Sequence, residues 1–134
     1  MSVLKNKRKE SNLEFLRTAR ELQIYSLRRC TGFPKRFTFT INNVIADLAT
    51  QVHMKVKHAN SIYPTNQHEA QLRRDNLIDA KALLQDLVAE IEVAAEMFGV
   101  DGNILNDWMA LIWKENELIR GLMKSDKERY RTLP

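Results

Sequence analysis

Leu77, Leu84, Ile91 and Phe98 stand seven residues apart, with Ala80, Leu87 and Ala94 between them at steps of three and four. In a strand, residues an odd number apart face opposite sides, so this spacing would scatter the apolar set over both faces. On a helix the same spacing makes one continuous seam, and such a helix packs nearly parallel to its neighbours, at about +20°. A seam of this kind has to be covered by other helices. The rest of the chain can supply them, because only four Gly and three Pro interrupt its 134 residues.

A first helix is expected from Ser11, where Ser11-Asn12-Leu13-Glu14 has the form of a capping box. Phe15, Leu16, Ala19, Leu22, Tyr25 and Leu27 follow as its apolar stripe, Arg28 and Arg29 fall in its last turn, and Gly32 supplies a left-handed end before Pro34. A second helix starts near Phe37 to Thr40 and carries Ile41, Val44, Ile45, Leu48, Val52, Val56 and Ala59 on one face. The heptad helix is third, capped by Asn66 with Glu69 three residues on and closed by Gly99. Asp101 to Asn103 cap a fourth, with Leu105, Trp108, Ile112, Ile119 and Leu122 as its stripe. The expected fold is all-α, an antiparallel up-down-up-down four-helix bundle in one domain over residues 1–134, with a flexible basic arm at 1–10 and a frayed charged tail at 125–134.

A domain of this length buries roughly two-thirds of its unfolded surface and needs no staple. The single cysteine, Cys30, cannot close an internal bridge, as suits a reducing compartment. No window approaches the ~18 to 20 apolar residues of a membrane span. The charged first eleven residues have no apolar run behind them, so no secretory signal is read. The expected location is the cytoplasm, without membrane contact.

Charge is distributed unevenly. Residues 1–36 hold ten Lys and Arg against three acids, whereas residues 76–119 hold two against nine. A basic front of this kind suits phosphates, or else a first helix that meets the acidic third helix of another copy. Arg17, Arg20, Arg28, Arg29, Lys35 and Arg36 are the candidate phosphate contacts, with Lys55 and Lys57 behind them; Lys5, Lys7, Arg8 and Lys9 form the arm, and Arg73 and Arg74 could extend the surface. Arginine favours bidentate phosphate contact. The competing reading is a solvated helix face.

Catalytic patterns are missing. His53 and His58 are five apart, off the three- and four-residue steps that align ligands on a helix, and no Glu-x-x-His occurs. His68 is followed by Glu69, but adjacent helical residues point apart. Cys30 lies at a helix C-terminus, where the dipole disfavours a thiolate, and is expected as a small semi-buried residue. Glycine-rich phosphate loops and nucleophile elbows are lacking, Trp108 falls on an apolar stripe, and Trp113 is placed for a subunit contact. The chain is therefore expected to be no enzyme and to carry no cofactor or metal.

Three segments carry a resemblance: Phe33-Pro34-Lys35-Arg36-Phe37-Thr38 between the first two helices, Leu77-Ile78-Asp79-Ala80-Lys81-Ala82-Leu83-Leu84, and Glu115-Asn116-Glu117-Leu118-Ile119-Arg120-Gly121-Leu122-Met123-Lys124. In this order, over residues 11–125, the chain resembles the four-helix-bundle family of the accessory variability determinant (Avd) of diversity-generating retroelements and the 23S rRNA intervening-sequence proteins. By position Lys35 and Arg36 match the family's basic loop pair, and Arg120 with Gly121 its C-terminal arginine and glycine. The chain departs from it where Gly121-Leu122-Met123 replaces a Gly-Gly-Trp-like ending and where the rRNA branch's Asn-Ile-Ala-Glu-Gly is lacking. The resemblance implies a ring-shaped homo-oligomer, a pentamer, that binds RNA or DNA and a partner reverse transcriptase while contributing no catalytic residue. Without the resemblance, a protein-only oligomeric scaffold fits the charge pattern as well.

Overall fold

Between its few glycines and prolines the chain is helical almost without interruption. The computed structural model describes the backbone from Ser2 to Pro134 and the side chains from Glu14 onward. Helix α1 spans Ser2–Thr31, α2 Asn43–Ser61, α3 Gln67–Phe98 and α4 Gly102–Arg129. Consecutive helices are neighbours and α4 returns to α1, which closes the all-α up-down bundle. No helix among the described residues is long and apolar enough to cross a membrane.

The core is built from the expected seams. Leu77, Ala80, Leu84, Leu87, Ile91 and Ala94 of α3 are fully buried, facing Ile45, Ala49, Val52, Val56 and Ala59 of α2. Phe15, Ala19 and Leu22 of α1 and Trp108, Ile112 and Ile119 of α4 complete it. Two stripe members differ: Val44 and Leu27 are exposed, each standing at the edge of its stripe. At one end an aromatic cluster closes the core, with Phe33 edge-on to Phe98 at 4.8 Å and Phe37 stacked on Phe98 at 5.2 Å. Trp108 lies in the same cluster, edge-on to Tyr25 at 5.9 Å, and its indole N–H donates to the buried Ser26 hydroxyl at 2.9 Å.

The helix ends depart from expectation in instructive ways. α1 already runs from Ser2, so the start expected at Ser11 lies inside it, and the Ser11 side of the capping box lies outside the described side chains. Leu4, Lys5, Lys7, Arg8, Lys9 and Glu10 are good helix formers with no breaker among them, which explains the longer helix. The arm expected over residues 1–10 is therefore helical backbone from Ser2. Gly32 is not left-handed; α1 ends instead in tight turns, the Gly32 N–H donating to Arg29 and that of Phe33 to Cys30. Residues Lys35–Phe37 form a 3₁₀ turn and Thr38–Asn42 a π turn, which lead into α2 as a helical approach and not as a strand.

The caps of α3 and α4 form as expected: Asn66 accepts from the Glu69 N–H at 2.8 Å, and Asp101 from those of Asn103 and Ile104. Glu69 returns its bond to the Thr65 N–H and hydroxyl, one residue earlier than a capping box would, and these two bonds hold its carboxyl below the usual range. The tail expected to fray from residue 125 is helical to Arg129 and then folds back, Gln67 donating to the Tyr130, Leu133 and Pro134 carbonyls.

Gly99 has φ +80°, and a Cβ added there would meet nothing within 4 Å. With ψ 141° Gly99 lies outside the left-handed helical region, in backbone space that residues with a side chain scarcely occupy, so the cost of a side chain there is backbone strain alone, about 1 to 3 kcal/mol. Gly99→Ala is expected to lower the unfolding free energy by that amount. Gly32→Ala, whose Cβ would sit 3.6 Å from the Arg29 carbonyl oxygen in ordinary contact, is expected to leave stability unchanged or raise it slightly. Equal losses in urea unfolding would refute the distinction.

Candidate nucleic-acid interface

α1 buries Phe15, Thr18, Ala19, Leu22 and Ser26. That inner stripe leaves Arg17, Arg20 and Arg28 exposed on the outside of the bundle. Its two flanks are identified by their polar partners. Towards α2, the Gln23 amide donates to the Thr50 hydroxyl at 3.2 Å and its carbonyl oxygen lies 2.7 Å from Nδ1 of His53. Towards α4, Glu14 pairs with Lys114 at 3.3 Å and the Tyr25 hydroxyl donates to the Ile104 carbonyl at 2.9 Å.

The candidate cations divide along these flanks. Arg20 of α1 and Lys57 of α2 both act on His53, whose pKa is lowered first by burial, then by Lys57 and Arg20. His53 is therefore neutral at pH 7 and adds no charge to the pair. Arg17 lies on the same helix one turn before Arg20, and Arg28 in the last turn of α1. Lys35 and Arg36 project from the 3₁₀ turn, fixed from beneath by Phe33 and Phe37 packed on Phe98. The Arg36 guanidinium stands over Phe37 at 5.0 Å, and Phe39, 85 % exposed, follows in the chain. None of Arg17, Arg20, Arg28, Lys35, Arg36 and Lys57 has an ion-pair partner among the described residues.

Two candidates are placed differently. Arg29 turns to the α4 flank, its guanidinium over Tyr25 at 5.1 Å and its Nε buried without a partner. Lys55 pairs with Asp79 of α3 at 3.3 Å. Arg73 leaves the expected surface altogether: it is 3 % exposed and bonded to Asp126 at 2.7 Å. Its Nη1 donates to the Ala59 and Ile62 carbonyls at the end of α2, so one guanidinium joins three helices.

The other singled-out residues occupy separate places. Cys30 is packed against the core, and burial pushes its thiol up to about 11, against a smaller opposing effect of a hydrogen bond with the Ala46 backbone. His58 and His68 are exposed, and no group of three or more His, Cys, Asp or Glu among the described residues could hold a metal ion. Trp108 is core and Trp113 is 65 % exposed.

Sequence reasoning missed a second concentration of cations across the bundle, between α3 and α4. Arg74, Lys81, Arg120, Lys124 and Lys127 border a shallow open groove there. The signal was present as spacing: Arg74 and Lys81 are seven apart, and Arg120, Lys124 and Lys127 are at steps of four and three. The acidic surplus of residues 76–119 and the expected fraying of the tail hid it. In comparisons with known proteins, no family model, curated protein or solved structure matches this chain.

Proposed function

We propose that this chain is a cytoplasmic, non-catalytic accessory protein of a bacterial reverse transcriptase, similar to the Avd proteins, that binds RNA or DNA and docks the polymerase as a homo-oligomer, a pentamer. The observation that carries the nucleic-acid part is the set of exposed cations on the α1–α2 hairpin, with Arg17, Arg20, Arg28, Lys35, Arg36 and Lys57 without carboxylate partners among the described residues. Cations that satisfy no acid among the described residues are available to phosphates, and exposed Phe39 after Lys35 and Arg36 adds the aromatic surface on which unpaired bases stack. The polymerase and the ring rest on the family resemblance of residues 11–125 alone.

Reversing Arg17, Arg20, Lys35 and Arg36 to glutamate is expected to reduce the slope of log affinity against log salt by about 0.7 to 0.9 for each phosphate that the protein no longer neutralises. Binding of a structured RNA at roughly 50 to 200 mM salt, with light scattering for size, provides the check. Unchanged affinity and slope would reject this surface. An oligomer that ignores RNA would favour the protein-only scaffold, with acidic α3 of one copy on basic α1 of the next.

A further inference from the structure

No acidic side chain lines the groove bordered by Arg74, Lys81, Arg120, Lys124 and Lys127. Arg74 and Lys81 are two helical turns apart, as are Arg120 and Lys127, so two rows of cations about 10 Å long face each other from antiparallel helices. Of the nearby acids, Asp126 holds Arg73 and Glu128 pairs with Arg131, while Glu117 pairs with the groove's own Arg120 at 3.2 Å and leaves Arg74, Lys81, Lys124 and Lys127 without a carboxylate partner among the described residues. Converging like charges repel, so the groove gains from any bound anion. The Arg73–Asp126 bond ties α3 to α4 beside it.

A cavity of about 330 Å³ continues the groove, sharing Arg74, Met123 and Lys127 with it. Leu77, Tyr130, Gln67 and Gln71 also line it, with the Asp126 carboxylate that holds Arg73. The Gln67 amide donates to the Tyr130 and Leu133 carbonyls and that of Gln71 to Asp75, which leaves their side-chain oxygens as acceptors. An apolar wall, amide oxygens and the Tyr130 ring, beside which the Arg73 and Arg129 guanidiniums stand 6.0 and 5.8 Å from its centroid, make a setting for a flat heterocycle with hydrogen-bonding edges. Only an unpaired base can leave its strand to enter such a space. We infer that the α3–α4 groove is a binding site for single-stranded nucleic acid, with phosphates along the cation rows and one base in the cavity beside Tyr130. Its residues are all distinct from those of the α1–α2 surface, so either site can fail without the other.

The test is fluorescence anisotropy of the full chain with an unstructured, labelled RNA of about 12 nucleotides. The triple variant Lys81→Gln, Lys124→Gln, Lys127→Gln is expected to lower the salt slope by about 2 and weaken binding tenfold or more at low salt. Tyr130→Leu is expected to weaken binding about tenfold with the slope unchanged, since a stacking contact carries no counterions. Thermal melts of both variants, matched to the parent chain, control for folding. Full affinity and slope in the triple variant, with weaker binding on reversing the α1–α2 cations, would overturn the groove and leave that surface standing. Weaker binding in the triple variant alone would sustain the groove and reject that surface. Capture by phosphatidylserine vesicles without uptake of the RNA, or salt-sensitive dimerisation without it, would overturn the inference in favour of a lipid surface or the acidic α3 of a second copy.

Discussion

Glu115→Gln is expected to raise the unfolding free energy by about 3 kcal/mol at pH 7 while changing it little at pH 4. Glu115 is fully buried on α4 between Ile112 and Ile119, and neither carboxyl oxygen has a hydrogen-bond partner. Burial pushes its pKa up to about 9, against a smaller opposing effect of Lys114. The folded state therefore keeps the proton, while the unfolded chain loses it above its ordinary value of 4.5. Stability is greatest below the unfolded value and declines as the pH rises towards the folded one, by up to about 1.4 kcal/mol per pH unit. Glutamine has nothing to ionise, so its advantage over the parent grows across the same window. Glu115→Met, similar in volume, removes the unpaired polar atoms as well and is expected to gain more. Guanidinium unfolding at pH 4, 7 and 8.5 reads the difference directly. A gain independent of pH would mean that the carboxyl is not held neutral in the core.

Asp126→Asn is expected to have the second large effect, with the opposite sign. The carboxylate is the only charged partner of Arg73 among the described residues, and both side chains are buried, 8 % and 3 % exposed. Removing it strands a guanidinium that cannot reach water, at a cost of about 3 to 5 kcal/mol. The carbonyls of Ala59 and Ile62 retain their Arg73 donors but do not supply the missing charge. The double variant Arg73→Met, Asp126→Leu is expected to recover most of that stability, because a buried ion pair contributes little net stability over packed apolar side chains. A cycle of the two single variants and the double measures the coupling. A cost below about 1 kcal/mol in Asp126→Asn would show that water reaches the pair.

The same pair has a functional consequence. Because it ties α3 to α4 beside the cation rows, the double variant separates stability from the geometry of the groove. A stable double variant that binds RNA more weakly would assign the ion pair to holding the groove's width.

Much of the bundle was legible from spacing alone. The heptad run from Leu77 to Phe98, the stripe ending at Ala59, and the caps at Asn66 and Asp101 all appear where local chemistry demands them. These features depend on residues within a turn or two of each other. Less legible were the ends, since a capping box such as Ser11 to Glu14 acts only if the chain enters a helix there, and the preceding residues continue the helix. Of the candidate site, the outward positions of Arg17, Arg20 and Arg28 follow from the stripe they oppose. The diversion of Lys55 to Asp79 and of Arg29 to Tyr25 does not, because each partner lies on another helix or depends on which flank a neighbour covers.

Three charged residues show where that boundary lies. Arg73 precedes the seam residue Ala80 by seven, Asp126 follows Ile119 by seven, and Glu115 fills the step between Ile112 and Ile119. The spacing puts all three on inward-facing positions, although their charge placed Arg73 on the expected basic surface and Asp126 in the tail expected to fray. Only the tertiary structure decided their fates. Arg73 and Asp126, fifty-three residues apart, meet because α3 and α4 run antiparallel in register. Glu115 meets no partner and keeps its proton instead. Periodicity sets which way a side chain points, but the packing of separate helices sets what it finds there.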